Sequence, residues 1–277
     1  MPELPEVETV RRGLQPALEG QIIKSVTVRC PKLRIPFPKD FAKRLAGKKV
    51  EQLSRRAKYL LMHMEGGGVA IIHLGMTGHM RVISSNAPIP GKHDHVDFCT
   101  TAGATVRFHD PRRFGLMTLT TEKNLATHKL IKNIGPDPLG NDFNDEVLSA
   151  ALKGRATPIK AALLDQKTVA GLGNIYVSES LFRSGISPKR QAKTVQGGRA
   201  EKLTRAIQDV LRDAIEAGGS TLKDHVQPDG ELGYFQHHFK VYGKTGAPCP
   251  TCDDSAHIIK KIVQSGRSTF YCSNCQR

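Results

Sequence analysis

Four cysteines near the C-terminus set the tightest limit on how this chain can fold. Cys249 and Cys252 are separated by two residues, Cys272 and Cys275 likewise, and nineteen residues lie between the two pairs. Each Cys-x2-Cys knuckle puts two thiolates on one tight turn, and the overall spacing is that of a four-cysteine zinc site. Four thiolates close the coordination sphere, so the implied cofactor is one structural Zn2+ with no open position for catalysis. Redox or iron–sulfur use of the quartet is the other reading. Between the knuckles, residues 258–263 and 268–272 read as a hairpin around Gln264-Ser265-Gly266-Arg267, with Arg267 at or beside its tip. Cys30 and Cys99 stand alone and read as reduced thiols in or near strands.

The charge balance names the partner class. Lys plus Arg is 41 against 26 for Asp plus Glu, a formal net charge of +15. Such an excess points to a polyanion, either nucleic acid or an anionic membrane. No apolar run reaches the ~18 residues of a transmembrane helix. The N-terminus carries acids early and has no apolar signal-peptide core. Nucleic acid is therefore the expected partner and the cytoplasm the expected compartment. A chain of 277 residues buries a real core and is expected to form two main domains.

The first half alternates and the second is periodic. Val7, Val10, Leu14 and Leu18 recur at helical spacing, predicting an amphipathic helix just after the N-terminus. Residues 21–29, 59–64, 69–74, 80–83, 96–101, 105–109 and 116–120 read as strands, with hairpin turns at Gly66-Gly67-Gly68 and Ala102-Gly103. Strands at this spacing suggest an antiparallel sandwich or barrel. Gly135, Pro136, Pro138 and Gly140 break any period across 133–142, the expected domain boundary. Beyond it, 145–152, 158–164, 174–184 and 198–217 are helix candidates, and 218–238 is a long polar stretch of the kind that carries function. The expected division is 1–132, a linker at 133–142, a helical domain at 143–240, and a zinc finger at 241–277.

Three further features carry chemistry. The chain begins Met1-Pro2-Glu3-Leu4-Pro5-Glu6. Taken alone this is a helix start, with proline in the first turn and acids complementing the dipole. Once Met1 is removed, Pro2 also exposes a secondary amine whose pKa of about 8 leaves much of it neutral and nucleophilic near physiological pH. Val169-Ala170-Gly171-Leu172-Gly173-Asn174 precedes a helix. It reads either as a backbone cradle for a phosphate or as a helix–turn–helix connection with Asn174 at the N-cap. His109-Asp110-Pro111-Arg112-Arg113-Phe114-Gly115 reads as a turn carrying two arginines and one ring, the means to wedge open a base stack. Arg55, Arg56 and Lys58 precede an apolar strand, and alternation would set Lys58 on the face opposite Ala57 and Tyr59. His93-Asp94-His95-Val96-Asp97 looks metal-like but supplies no third ligand, so no second metal site is expected.

Taken together and in order, these motifs resemble the formamidopyrimidine-DNA glycosylase family of bacterial repair enzymes. The segments that carry the resemblance are 1–9, 56–60, 73–76, 92–95, 110–115, 171–176 and the quartet with Arg267, so it spans the whole chain. The related endonuclease VIII branch has glycine after Pro-Glu, where this chain has Leu4. The resemblance implies an α+β fold. An antiparallel β-sandwich with a flanking helix is followed by a helical domain with a helix–two-turn–helix and a zinc hairpin. It implies a monomeric bifunctional glycosylase and abasic-site lyase, acting on double-stranded DNA with an oxidised purine opposite cytosine. Its catalytic residues would be Pro2, Glu3, Glu6, Lys58 and Arg267. DNA contacts fall on His93, Arg112, Arg155, Lys160 and Asn174, with Arg155 standing in for a lysine that some members carry where this chain has Ala156. Met76, Arg112 and Phe114 would fill the gap left by the extruded base, Thr221 and Tyr242 would close over the lesion, and Cys249, Cys252, Cys272 and Cys275 would hold the zinc. A pyrimidine-lesion glycosylase and a non-catalytic zinc-ribbon DNA-binding protein are the competing readings.

Overall fold

The computed structural model describes residues 2–83, 87–220, 234–253 and 256–277. Its elements in chain order are α1 (Leu4–Leu18), β1 (Ile23–Val28), α2 (Phe41–Leu45), β2 (Val50–Arg56), β3 (Tyr59–Met64), β4 (Gly68–His73), β5 (His79–Ile83), β6 (Asp94–Thr100), β7 (Thr105–His109), β8 (Leu116–Thr121), α3 (Glu122–Leu125), α4 (Asp145–Leu152), α5 (Ile159–Leu164), α6 (Asn174–Arg183), α7 (Gly198–Glu216), β9 (Ile259–Gln264) and β10 (Arg267–Cys272). They group into two compact units: Met1–Lys132 with Ile215–Gln236, and Asn133–Ala214 with His237–Arg277. Among the described residues, no helix is long and apolar enough to cross a membrane.

The first unit holds two four-stranded sheets, ordered β1-β6-β7-β5 and β2-β3-β4-β8. All their pairs are antiparallel. Alternation drives this arrangement: Val26, Met80, Phe98, Val106 and Phe108 of one sheet share a core with Leu53, Leu60, Met62, Ala70 and Ile72 of the other. Val7, Val10, Leu14 and Leu18 of α1 join that core, and α1 packs on β2 and β3. Each such buried side chain is worth ~1.5–3 kcal/mol relative to exposure, which fixes the helix that carries the N-terminus.

One strand departs from the sequence reading. Arg55 and Arg56 precede the apolar strand β3, as expected, but they also end β2, a strand absent from that reading, and Arg56 pairs with Tyr59. Lys58 therefore sits in the two-residue β2–β3 turn beside Ala57, whose φ is +54°. The turn, not strand alternation, sets where Lys58 points. The described residues 215–220 and 234–236 group with the first unit, not with the helices that precede them. A bond across 214 residues explains this: Glu6 Oε1 accepts from the Ser220 N–H and from its hydroxyl, at 2.9 Å each.

In the second unit, α5 and α6 pack together and α6 also packs on β10. Leu203, Ile207, Val210 and Leu211 form the buried stripe of α7. The zinc finger shares a small core with α6: Phe182 of the helix packs with Val241, Cys249, Ile259, Phe270 and Cys272. Glu179 of α6 anchors the entry to the finger by accepting from three successive backbone N–H groups, of Lys240, Val241 and Tyr242, at 2.8–3.0 Å.

Candidate functional site

The N-terminus is a helix start built from carboxylates. Pro2 is buried and directly precedes Glu3, the N-cap of α1, with Pro5 in the first turn. Glu3 and Glu6 form a reciprocal capping box in which Glu6 Oε2 accepts from the Glu3 N–H at 2.8 Å. Both acids are nearly inaccessible, 3 % and 2 % exposed. Glu6 uses one oxygen on Glu3 and the other on Ser220, so it ties the base of the 218–238 stretch to the helix start. One turn later, Glu8 accepts from Arg11, Arg12 and Arg55. Burial alone would raise the Glu8 pKa, but these guanidinium groups hold it below the usual carboxylate range. The Arg55 pair pins α1 to β2, and the backbone N–H of Leu53 adds a 2.6 Å bond to Glu19.

Lys58 is buried in its turn and lies near His73, its neighbour through the Tyr59–His73 pair of β3 and β4. Burial first, then the charges of Lys58 and Arg34, push the His73 pKa down to about 4. His73 is thus neutral at pH 7. Its Nδ1 accepts from the Gly75 N–H at 2.9 Å, which leaves the proton on Nε2 as a donor. His73, Arg34, Gly75, Met76 and Phe114 line a cavity of about 340 Å³. His73 opens the 73–76 segment, but one histidine ending an apolar strand carries no signal until its neighbours are known.

Met76 and Phe114 are about 40 % exposed, unusual for large apolar side chains. The Arg112 guanidinium stacks over the Phe114 ring at 4.5 Å. All three sit on loops of the first unit, 74–78 and 110–115, and the Gly75 φ of +77° brings those loops into backbone contact. His93 lies beside them, its ring edge-on to His109. Asp94 and Asp97, which made this stretch look metal-like, pair with Arg107, and Asp97 also pairs with Arg29.

In the second unit two expectations change. Lys160 is not on a phosphate-facing surface: it is 0 % exposed, and its ammonium donates to Ser268 O (2.8 Å) and Thr269 Oγ1 (2.7 Å). It braces the start of β10. Asn174 is the first residue of α6 and Gly173 is the N-cap. The glycine turn is buried, and the Gly171 N–H is satisfied by Gln166 Oε1 at 2.9 Å. Asn174 Nδ2 donates to the same Ser268 carbonyl at 2.9 Å, while its Oδ1 is buried with no hydrogen-bond partner among the described residues. Arg155 donates to Thr168 Oγ1 (2.9 Å) and Asp165 (3.3 Å) and stays partly exposed. Tyr242 packs edge-on against Phe239 and Phe270, with its hydroxyl 3.5 Å from Asn174 Nδ2. Arg267 is exposed and opens β10, directly after a two-residue turn at Ser265 and Gly266, both with positive φ. Met1 and Thr221 lie outside the described residues.

The quartet fits a tetrahedral thiophilic ion. All four Sγ atoms lie within 4.8 Å of one another, and Cys249–Cys275 and Cys252–Cys272 are each 3.7 Å apart. Zn–S bonds of ~2.3 Å give a tetrahedral edge of ~3.8 Å. Thr251 and Asn274 donate to the sulfurs, the outer support expected of thiolate ligands. Without an ion, burial pushes the Cys275 thiol up, while hydrogen bonds from Thr251 draw Cys249 down against its own burial. Four thiolates crowded this closely need a cation, and the structural zinc of this finger supplies it.

Comparison with known proteins agrees over the full length. Residues 1–117 match the model of the formamidopyrimidine-DNA glycosylase N-terminal domain, 134–226 that of its H2TH domain, and 246–277 that of a zinc finger found in FPG and IleRS. Formamidopyrimidine-DNA glycosylases of Rhodospirillum rubrum and Azorhizobium caulinodans are 58 % and 55 % identical, each comparison covering 100 % of both chains. The MutM (FPG) crystal structure from Thermus thermophilus superposes with a TM-score of 0.87 at 40 % identity, over 99 % of this chain and 98 % of that one. A Lactococcus lactis FPG mutant bound to Fapy-dG-containing DNA gives a TM-score of 0.90 at 35 % identity over 100 % of both chains. From its proline-led helix start to its cysteine finger, the chain belongs to the formamidopyrimidine-DNA glycosylase family.

Proposed function

We propose that this chain is a base-excision-repair glycosylase and abasic-site lyase that removes oxidised purines opposite cytosine from duplex DNA, with Pro2 as its nucleophile. Once Met1 is removed, the Pro2 nitrogen bonds to C1′ of the damaged nucleotide as the base departs with a proton. Glu3, beside it at the N-cap, protonates O4′ to open the sugar. A secondary amine gives an iminium directly, which acidifies the C2′ proton. Its loss expels the 3′ phosphate, and a second elimination expels the 5′ phosphate. Glu6 acts by position: its two oxygens fix Glu3 and Ser220. Lys58 supplies acid chemistry in the eliminations, and Arg267 grips a phosphate and supports the second one.

The target base must leave the stack to be reached. Met76, Arg112 and Phe114 fill its place, and Arg112 reads the cytosine opposite. His93, Arg155 and Asn174 contact phosphates, and the 218–238 stretch with Tyr242 closes over the lesion. The zinc braces the hairpin that presents Arg267. The protein works as a monomer at the bacterial nucleoid.

What carries the reading is Pro2 set directly before the buried Glu3–Glu6 capping box in a full-length member of this family. A second reading has one observation behind it: a wild-type Lactococcus lactis FPG of 36 % identity was solved with oxidised-pyrimidine DNA. Side-by-side cleavage of 8-oxoguanine:cytosine and thymine-glycol duplexes decides. Faster nicking of the purine duplex, leaving phosphates at both ends of the gap, is expected. Faster thymine-glycol cleavage supports the pyrimidine reading, and binding without cleavage supports a non-catalytic DNA-binding protein.

A further inference from the structure

Three segments that face DNA in the reading above converge on one side chain that does not. Asp110 is 0 % exposed. Its Oδ1 accepts from the Thr77 hydroxyl at 2.6 Å, on the loop that carries Met76. Its Oδ2 accepts from the Gly115 N–H at 2.8 Å, closing the loop that carries Arg112 and Phe114. Its own backbone N–H donates to the carbonyl of His93 at 3.0 Å, and its carbonyl accepts from the Arg113 N–H and from His95 Nε2. Burial keeps His95 below the ordinary imidazole pKa, so that ring is neutral and donates through Nε2.

We infer that Asp110 is a positioning residue that sets the Met76, Arg112 and Phe114 trio in one geometry and so determines how well the enzyme discriminates the base opposite the lesion. The inference rests on the gap-filling role proposed above. The two loops are closely packed. A Cβ on Gly75 would lie 2.4 Å from the Gly115 nitrogen, so the two loops touch backbone to backbone. A Cβ on Gly115 would lie 2.7 Å from the Phe108 ring and 3.1 Å from Asp110 Oδ2. Two loops in such contact move together only if something joins them, and the carboxylate is that joint. The Gly115 N–H needs an acceptor and the Thr77 hydroxyl can take either role, so asparagine fits in one orientation but loses the charge that strengthens both bonds, and glutamate adds a methylene to a filled slot. Charge-assisted bonds to a buried carboxylate are short and directional, which suits a part that holds other groups in register.

Thr77→Val removes one of the two loop bonds with little change of shape; Asp110→Asn keeps the shape and removes the negative charge behind both. Each variant is compared with wild type on 8-oxoguanine opposite cytosine, on 8-oxoguanine opposite adenine, and on a preformed abasic site in single-stranded DNA, where no gap is filled. Expected is a fall of about tenfold in the cytosine-over-adenine ratio of kcat/KM for Thr77→Val, carried mainly by KM, with a larger fall for Asp110→Asn. Single-strand abasic cleavage should stay at the wild-type rate. An unchanged ratio in both variants overturns the inference, as does a parallel loss on all three substrates, which would make Asp110 merely structural. If wild type cleaves neither oxidised-purine duplex, it is the proposed function that fails.

Discussion

The zinc hairpin and the N-terminal helix start each carry one group that the proposed reaction uses, and they hold it in opposite ways. Arg267 stands on a hairpin that packs into a small core shared with α6, closed by four thiolates around one ion. Pro2 stands on a helix buried against a two-sheet core and fixed by a lattice of carboxylates: Glu6 to Glu3 and Ser220, Glu8 to three arginines, Glu19 to Leu53. A small finger cannot bury enough apolar surface to hold an extended hairpin, so one strong local bond set does the work. The larger unit spreads the same task over many weak ones. Damage should therefore be abrupt at one end of the chain and graded at the other.

The largest expected effect is at the metal. Chelation, or Cys272→Ala, removes on the order of 10 kcal/mol of zinc-dependent folding free energy from the finger. Hydrogen exchange should show β9 and β10 losing protection while β3, β4, β6 and β7 keep theirs; retained protection in the hairpin would break the contrast. Next comes Lys160→Met, which takes the donor from Ser268 O and Thr269 Oγ1 and should cost ~1–3 kcal/mol by denaturant melting.

In the larger unit the test is pH. The His73 pKa is about 4 when folded, against about 6.5 when unfolded. As pH falls from 6.5 toward 4, the unfolded chain takes up a proton that the folded one refuses, so stability drops. The loss should reach about 3 kcal/mol, most of it between pH 6.5 and 4, and His73→Gln should flatten that part of the profile. The smallest stability effect is Arg267→Ala. Its melting should match wild type, while the slope of log affinity for DNA against log salt becomes shallower by about 0.9, the value of one phosphate contact.

The parts legible in the sequence are those whose causes are local. Strands β3 and β7 and helix α4 fall where alternation and periodicity set them, because each buries a regular face. The quartet was readable because ligand spacing is itself local chemistry. Strand β2 was not, since only Val50 and Leu53 of its residues are buried and a register shift falls between Val50 and Gln52. At the site, residues whose meaning depends on a distant partner stayed hidden. Lys160 in Ile159-Lys160-Ala161-Ala162 reads as a surface cation until Ser268, 108 residues away, takes its proton donors. Glu6 reads as a helix-dipole acid until Ser220 is found on its second oxygen. Asp110 reads as a turn residue until Thr77 and Gly115 meet on its carboxylate.

The central claim is that the carboxylate lattice exists to hold one amine. Borohydride reduction during turnover of an 8-oxoguanine:cytosine duplex, followed by peptide mapping of the protein–DNA adduct, tests it directly. The account predicts one covalent adduct on the Pro2 nitrogen of protein lacking Met1, and none on protein whose N-terminus is blocked. An adduct on Lys58 or any other lysine, or trapping that survives the block, would contradict it.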